Sequence, residues 1–333
     1  MKSLGICIPT YKRPEFLRSC ILSAISSAEG RPISIFISDD SADGTNAEVC
    51  SSLASEYSFI KLSKNNANIG IDANIQKAIE VCDCDFAWLI GEDDEFLPGA
   101  VAAMYDFLQE CTSPFIFSPY LYVSEDHNKV LGSVEAAHNK NALATVNFIE
   151  NYLWAIGFIG AVVVNVDAWR STNAAPYLGT YFAHVGRILD MVSNESLIQV
   201  QSSCGVANRS EGGDTFTWKK DSFGVFLGFE RMCEIAARRN PQLEACLLEA
   251  SINYRKKFPY FSIKTTFRLR AEGAFDYNQF LKYLAPLSSI GVCRKIWLFG
   301  LSLTPTIFLR PIAAAYRVFN KNRTLQVKAK HGP

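Results

Sequence analysis

The chain has 333 residues and equal numbers of basic and acidic side chains, 33 Lys and Arg against 33 Asp and Glu. This balance excludes a global field that would steer the protein to nucleic acid, and the length allows a large core in one or two domains. The ten cysteines show no four-ligand zinc spacing, which indicates free thiols in a reducing cytosol. With no signal peptide and no stretch of about 18 apolar residues, we expect a cytoplasmic protein, or one peripheral on the cytoplasmic face of the inner membrane.

Short apolar runs alternate with amphipathic helices through the first third of the chain. Buried strands are predicted at Leu4–Ile8, Ile33–Ser38, Phe59–Leu62 and Phe86–Ile90. The helix that begins at Pro14 has apolar residues at three- and four-residue spacing, as a helix that packs on a sheet does. The pattern predicts an α/β fold with a Rossmann-like, mostly parallel sheet flanked by helices.

Polar residues follow three of these strands, at Thr10, Asp40 and Asp93. The carboxyl ends of parallel strands meet at one edge of a sheet, which is where open α/β sheets bind ligands. We therefore expect a ligand site at this edge.

The most acidic strand end is Glu92-Asp93-Asp94-Glu95, which comes directly after Gly91. Carboxylates in this position suit Mg²⁺ or Mn²⁺, which keeps some water ligands and shares the rest with a phosphate. The alternative is a solvated acidic turn that leads into a helix begun at Pro98. This stretch alone leaves both interpretations open.

Beyond residue 125 the alternation is weaker, and the chain then becomes helical. His184 precedes a helix with one apolar face, and Asn208–Lys220 is a polar loop that suits a mobile cover over an acceptor. From Asp221 onward the pattern is helical. We therefore predict two parts, a sheet domain with the donor and acceptor sites at residues 1–220 and a helical C-terminal region at residues 221–333.

The C-terminal region contains the apolar segment Ile296–Leu309, which has basic residues on both sides. The segment has 14 residues and is interrupted by Pro305, so it is too short to span a bilayer as a regular helix. An apolar segment with basic flanks can lie in the headgroup region of an anionic membrane. The alternative is a helix pair packed on the core of the protein itself.

Four segments resemble, in order and spacing, the successive motifs of family 2 glycosyltransferases with the A-type fold. They are Cys7–Leu17, Ile37–Thr45, Asn66–Ile75 and Trp88–Ala100, within about residues 1–125. The second half is similar to the abequosyltransferase-type enzymes of bacterial O-antigen assembly. The resemblance implies transfer of a sugar from a nucleotide-diphosphate sugar to an oligosaccharide or polyprenyl-linked glycan in surface polysaccharide or lipopolysaccharide synthesis.

The resemblance also implies where the donor binds. One of Asp39 or Asp40 would accept a hydrogen bond from a base N–H such as that of uracil, with cytosine and thymine as alternatives. The implied nucleotide-sugar-binding residues are Pro9, Thr10, Tyr11, Arg13, Asp39, Asp40, Asn68, Gly70, Asp72, Glu92 and Asp93.

The acidic stretch corresponds to the DxD motif of the family, whose last Asp binds the metal. The implied ligands of Mn²⁺ or Mg²⁺ are Asp93 and, second, Asp94. Gly91 stands where the family has its first Asp, which puts the ribose or sugar contact of that carboxylate in doubt. We interpret this glycine as a sign of a deoxysugar donor with fewer hydroxyls to hold.

The acceptor hydroxyl needs a general base, which the family usually takes from an acidic pair that leads into a helix. At the matching place this sequence has His184, and histidine is the residue type whose ordinary pKa suits a base at neutral pH. A histidine before an apolar helix face is also typical of a structural residue. Asp190 and Asp214 are therefore competing candidates for the base.

Two other functions are consistent with parts of the sequence. A sugar nucleotidyltransferase also uses an α/β sheet, a metal and acidic residues, but it would favour a glycine-rich basic phosphate loop, and the first loop, PTYKRP, has no glycine. A non-catalytic glycan-binding protein is the second alternative. Failure of every nucleotide sugar to bind would favour it.

Overall fold

The computed structural model describes residues 1–124, 128–136, 142–209, 221–285 and 291–312. The chain divides into two compact units: Met1–Thr215 with Gly228–Tyr254, and Phe216–Leu227 with Arg255–Pro333. Helix Ser222–Arg239 contributes residues to both units. The domain boundary after residue 220 stays a prediction.

The strands of the described residues belong to the first unit. They are β1 (Leu4–Thr10), β2 (Ile33–Asp39), β3 (Ile60–Lys64), β4 (Phe86–Leu89), β5 (Glu95–Phe96), β6 (Phe115–Phe117), β7 (Tyr120–Val123), β8 (Val130–Val134), β9 (Ala142–Ala144), β10 (Val162–Asn165), β11 (Leu197–Val200) and β12 (Val206–Arg209). The large sheet has the order β3-β2-β1-β4-β10-β6-β11-β9, and a small sheet has the order β5-β12-β7-β8. β3, β2, β1 and β4 run parallel, whereas β10 is antiparallel to both neighbours. The α/β prediction is confirmed, with a sheet that is mixed beyond β4.

Helices flank the large sheet and form the C-terminal region. They are α1 (Pro14–Ser27), α2 (Ala47–Glu56), α3 (Ile71–Glu80), α4 (Ala100–Leu108), α5 (Thr145–Tyr152), α6 (Val166–Arg170), α7 (Ala183–Met191), α8 (Ser222–Arg239), α9 (Glu244–Lys257), α10 (Ile263–Ala271), α11 (Tyr277–Gln279) and α12 (Val292–Leu303). α1 starts at Pro14 as predicted, and its stripe of Leu17, Cys20 and Ile21 is fully buried. α4 starts two residues after Pro98, because Gly99 has a left-handed backbone with a φ of 70°.

The sequence of Phe115–Val123 predicts a single strand. The structure has two strands there, and they belong to different sheets. β6 ends at Phe117 and β7 begins at Tyr120, and the break lies at Ser118-Pro119. Pro119 has no N–H to donate to a ladder, and its carbonyl oxygen accepts from the N–H of Gly205 at 2.8 Å. The switch creates the small sheet, in which β12 pairs with β5 directly after the acidic stretch.

The second unit is helical, as predicted. Its core contains Phe223, Leu269, Phe275, Leu284 and Leu298, each less than a tenth exposed. No described helix is by itself long and apolar enough to cross a bilayer. The pair Val292–Leu303 and Thr306–Ile312 meets that criterion only jointly, and it is bent by 101°.

Candidate functional site

The carboxyl ends of β1, β2 and β4 lie side by side. Thr10 pairs with Asp39 in the register of β1 and β2. The N–H of Asp40 donates to the carbonyl oxygen of Thr10 at 2.9 Å, and the N–H of Ile90 donates to that of Cys7 at 3.1 Å. The polar strand ends identified in the sequence are therefore neighbours at one edge of the sheet.

Asp40 organises the loop before α3. Its Oδ1 accepts from the N–H of Ile69 at 2.8 Å and from Asn65 Nδ2 at 3.0 Å, and its Oδ2 accepts from the N–H of Gly70 at 3.1 Å. Asn68 Oδ1 accepts from the same N–H of Gly70 at 2.9 Å. Both carboxylate oxygens of this buried side chain therefore serve to position backbone and amide groups.

Asp39 keeps one carboxylate oxygen available. Its Oδ1 accepts from the N–H of Ser41 at 2.9 Å and from Asn46 Nδ2 at 3.0 Å. No hydrogen bond from the described residues reaches its Oδ2. Asn46 Nδ2 also donates to Thr10 Oγ1 at 3.1 Å. The Oδ1 atom of Asn46 is buried and accepts no hydrogen bond from the described residues. Of the two acidic residues, Asp39 is the one with unused acceptor capacity.

Buried asparagines that sequence reasoning did not assign to the site hold this edge together. Asn74 Oδ1 accepts from Ser38 Oγ at 2.7 Å, and its Nδ2 donates to the carbonyl oxygen of Thr10 at 3.2 Å. Asn74 lies within α3, whose N-cap is Gly70. The Asn-rich stretch NNANIGIDAN, residues 65–74, is the feature of the sequence that could have indicated this role. Buried amide side chains need hydrogen-bond partners, and the neighbouring strand ends supply them.

The first loop presents both buried and exposed groups. Pro9 and Thr10 are buried at the end of β1, whereas Tyr11 is 37% exposed at the rim. Arg13 lies directly before α1, and its Nη1 lies 2.9 Å from Asp93 Oδ2 and 3.7 Å from Glu92 Oε1. The structure thus brings the first loop and the acidic stretch into contact.

Asp72 is engaged by a different part of the chain. Its carboxylate accepts from the backbone N–H groups of Gly179 at 2.8 Å, Tyr181 at 3.0 Å and Ala183 at 3.2 Å. Tyr181 has a φ of 67°, a conformation that is costly for a residue with a bulky side chain. Asp72 therefore fastens the segment before α7 to the start of α3. Its predicted contact with the donor stays a prediction.

Asp94 is buried beside another carboxylate. Its Oδ1 accepts from the N–H of Arg209 at 3.0 Å and lies 3.5 Å from Asn208 Nδ2. Burial, and then the negative charge of Asp93, raise the pKa of Asp94 well above its usual range, and the same two causes raise the pKa of Glu92. Sequence reasoning missed Arg209, which reaches the site only because β12 pairs with β5.

The carboxylates of Asp93 and Asp94 converge on Gly91. A Cβ atom on residue 91 would lie 3.0 Å from Asp93 Oδ1 and 3.0 Å from Asp94 Oδ2. The glycine therefore has a packing reason that does not involve the donor sugar. Its lack of a side chain leaves space between the oxygens of Asp93 and Asp94. A positive charge in that space would lower the raised pKa values of Glu92 and Asp94.

A divalent cation fits this donor set in part. Two carboxylates can serve an ion that takes its other ligands from water and phosphate, as Mg²⁺ commonly does. No group of three or more His, Cys, Asp or Glu side chains that could hold a metal occurs in the described ranges. Asp93 and Asp94 are thus the protein groups that would hold the ion, and Arg13 would share Asp93 with it.

His184 lies inside the protein. It is 1% exposed, its Nε2 lies 2.9 Å from the carbonyl oxygen of Ile156, and its ring is stacked near that of Phe182. Burial lowers the pKa of His184 to about 4. These features favour the structural alternative, and the catalytic role stays a prediction.

The two competing bases differ in what the structure shows. Asp190 accepts from Tyr177 Oη at 2.8 Å and forms an ion pair with Arg239 Nη2 at 2.9 Å, with a further bond from Asn240 Nδ2 at 3.1 Å. This saturated environment ties α7 to the end of α8. Asp214 lies outside the described residues.

Residues 5–158 match the glycosyl transferase family 2 domain. The match covers a little less than half of the chain. Over 197 residues it is 25% identical to abequosyltransferase RfbV of Salmonella typhimurium, which covers 55% of this chain and 59% of the relative. Over 105 residues it is 27% identical to the GalNAc(5)-diNAcBac-PP-undecaprenol β-1,3-glucosyltransferase of Campylobacter jejuni. That alignment covers 31% of this chain and 34% of the relative. The family prediction is confirmed, and the chain spans less than two thirds of these curated relatives.

Solved structures show the same fold. The S. aureus TarS 1-349 structure in complex with UDP-GlcNAc matches with a TM-score of 0.60 at 12% identity, and the match covers 95% of this chain and 91% of that one. At this identity the likeness concerns the fold alone. It confirms the predicted A-type architecture.

We expect a divalent cation to stabilise the protein more as the pH rises. Glu92 and Asp94 have raised pKa values in the folded state, so their contribution to stability is present below the unfolded pKa and is lost as the pH rises through the folded pKa. A cation held by ionised carboxylates offsets that loss. Without a divalent cation the melting temperature should fall as the pH rises from the ordinary carboxyl range toward about 8, the raised pKa of Glu92, and the increase caused by Mn²⁺ should grow over that range.

The matched variants are Asp94→Asn and Asp106→Asn. The first keeps an acceptor for the N–H of Arg209 and removes the buried charge, so it should reduce both the pH dependence and the Mn²⁺ effect. The second removes an exposed carboxylate paired with Arg31 and should leave both unchanged. Equal Mn²⁺ effects in the two variants would contradict the assignment of Asp94.

We expect His184→Ala to act on stability. Removal of a fully buried ring and its hydrogen bond should lower the free energy of unfolding by about 2–4 kcal/mol, as measured by urea denaturation. Turnover per folded molecule should stay within about threefold of the original, because a buried neutral ring is poorly placed to take a proton. An unchanged unfolding free energy with a large loss of turnover would instead support His184 as the base.

Proposed function

We propose that this chain is a metal-assisted glycosyltransferase. It moves a sugar, with a deoxysugar as one candidate, from a nucleotide-diphosphate sugar to an oligosaccharide or polyprenyl-linked glycan of a bacterial surface polysaccharide. The observation that carries the proposal is the meeting of Asp39, Arg13 and the Asp93-Asp94 pair at one sheet edge of a family 2 domain. Family membership favours this activity over the nucleotidyltransferase and the binding-protein alternatives.

Asp39 is the proposed acceptor for the base of the donor. Its Oδ1 is oriented by Ser41 and Asn46, which leaves Oδ2 to accept a base N–H. A buried carboxylate acceptor forms a stronger hydrogen bond than a neutral one. Asp40 acts indirectly in this proposal, because it positions the loop that contains Asn68 and Gly70.

Arg13 and the acidic pair are the proposed diphosphate region. When bound, Mn²⁺ or Mg²⁺ would neutralise charge on the departing diphosphate. Arg13 holds Asp93 Oδ2 at 2.9 Å and so orients the carboxylate. Its planar guanidinium has further N–H groups that can donate to phosphate oxygens.

The acceptor side is proposed to lie beside the acidic pair. The N–H of Arg209 contacts Asp94, so the chain that continues to Asp214 starts at that point. Asp214 is five residues further along the chain than Arg209, and five residues span at most about 18 Å. We assign Asp214 the role of general base for the acceptor hydroxyl.

We place the protein in the cytoplasm, with peripheral contact to the inner face of a membrane. All ten cysteines are free thiols, which is the usual state in a reducing compartment. The similarity to a transferase that acts on an undecaprenol-linked glycan supports an acceptor held at a membrane.

Donor binding tests the first part of the proposal. In a thermal-shift panel of UDP-, GDP-, CDP- and dTDP-sugars with and without Mn²⁺, at least one nucleotide should raise the melting temperature. Asp39→Asn should weaken binding of that nucleotide by about tenfold or more, because an amide has only one acceptor oxygen. The control Asp43→Asn removes an exposed carboxylate of the following turn and should bind normally. No shift with any nucleotide sugar would refute donor binding.

Turnover tests the base. Asp214→Asn should lower turnover by about 10²–10⁴-fold while leaving the donor-induced thermal shift unchanged. Glu211→Gln, which removes another carboxylate from the same loop, is the matched control and should retain most activity. A larger loss in the control than in Asp214→Asn would move the assignment to Glu211.

A further inference from the structure

The two compact units carry opposite charge, although the whole chain is neutral. Residues 216–227 and 255–333 contain 17 Lys and Arg but only three Asp and Glu. The first unit keeps the other 16 basic residues and 30 of the 33 acidic ones. The second unit therefore has the strongly positive potential that attracts anionic surfaces.

α12 has an apolar face that points to solvent. Val292, Ile296, Phe299 and Leu303 repeat at spacings of four, three and four residues, which places them on one side of the helix. They are between 42% and 73% exposed. Leu298, Leu301 and Ser302 lie on the other side and are buried. The helix is therefore anchored by one face. On the other face Phe299 contacts the rings of Tyr277 and Phe280 at its inner edge, and the apolar stripe is otherwise exposed among the described residues.

The stripe is extended by the helix that follows. Ile307, Phe308 and Ile312 are between 57% and 71% exposed, on a segment that bends by 101° from α12. α12 has 12 residues and rises about 18 Å, which is well short of the roughly 30 Å of a hydrocarbon core. The bend and the length fit a helix that lies in a membrane interface.

Basic side chains lie at the N-terminal end of the stripe. A cavity of about 310 Å³ is lined there by Arg255, Arg294 and Ser262, next to the residue that precedes α12. Arg294 also donates to the carbonyl oxygen of Phe261, which holds the start of α12 against the segment before α10. In a lipid leaflet, anionic headgroups can contact the basic side chains while the adjacent acyl chains contact the exposed apolar stripe.

We propose that the second unit binds the surface of an anionic lipid bilayer, with the outward face of α12 in the boundary between headgroups and acyl chains. Charge selects this occupant. A symmetric dimer through this face would bring together two units with 17 basic and three acidic residues each, which like-charge repulsion opposes. A bilayer that contains phosphatidylglycerol offers both negative charge and apolar depth. The proposal deepens the peripheral membrane contact of the proposed function, and its failure would remove that contact while leaving the donor chemistry untouched.

The test is flotation of the full chain with vesicles of phosphatidylcholine alone or with about one third phosphatidylglycerol. The chain should float with the anionic vesicles, float far less with neutral vesicles, and lose much of its binding at high salt. The double variant Val292→Glu with Ile296→Glu, at positions 73% and 65% exposed, should bind anionic vesicles at least about tenfold more weakly, because two apolar side chains no longer enter the interface.

The matched control is Val130→Glu with Leu197→Glu, which places the same charges on exposed apolar positions of the first unit. It should float like the unmodified chain. Both double variants should retain the melting temperature and the circular dichroism of the parent, since the replaced side chains are exposed. Absence of flotation with anionic vesicles, equal flotation of the two double variants, or a dimer by light scattering that only the α12 variant abolishes would each overturn the proposal.

Discussion

Packing of half-buried Asp93 and buried Asp94 around Gly91 is the constraint on which the candidate site depends. An oxygen of Asp93 and an oxygen of Asp94 would each lie 3.0 Å from a Cβ atom on residue 91. Two ionised carboxylates this close together repel each other, and burial raises the free-energy cost of keeping both charged. Arg13 and the backbone N–H of Arg209 supply the compensating contacts. They come from the loop after β1 and from the end of β12, so neutralisation of this charge joins the two sheets at the site.

The remaining loops are held by acceptors and amides at the same sheet edge. Asp40 fixes the backbone at Ile69 and Gly70, and Asp72 fixes the segment before α7 through three backbone N–H groups. Such contacts orient loops that would otherwise cost conformational entropy to order. An acidic residue in a donor motif can therefore serve the loop rather than the ligand, and Asp39 and Asp40 differ in this way.

Several expectations from sequence could not have been exact, for identifiable reasons. Phe115–Val123 has the composition of one strand, but a proline after Ser118 moves the chain into a second sheet. His184 has the local pattern of a residue before a helix, and only packing near Ile156 makes it a buried neutral ring. Short β5 and β12 carry too few residues for a periodic signal, yet their pairing brings Arg209 to Asp94.

The sequence by itself determined the α/β class, the four ordered motifs, the polar strand ends that meet at one sheet edge and the helical C-terminal region. These features depend on local periodicity and on residue types at fixed spacings, which are readable along the chain. Only the tertiary structure decided which acidic residue keeps a free oxygen, why position 91 is a glycine and which face of α12 is exposed. Each of these depends on contacts between residues far apart in sequence, and the same side chain can be buried, bonded or exposed according to those contacts.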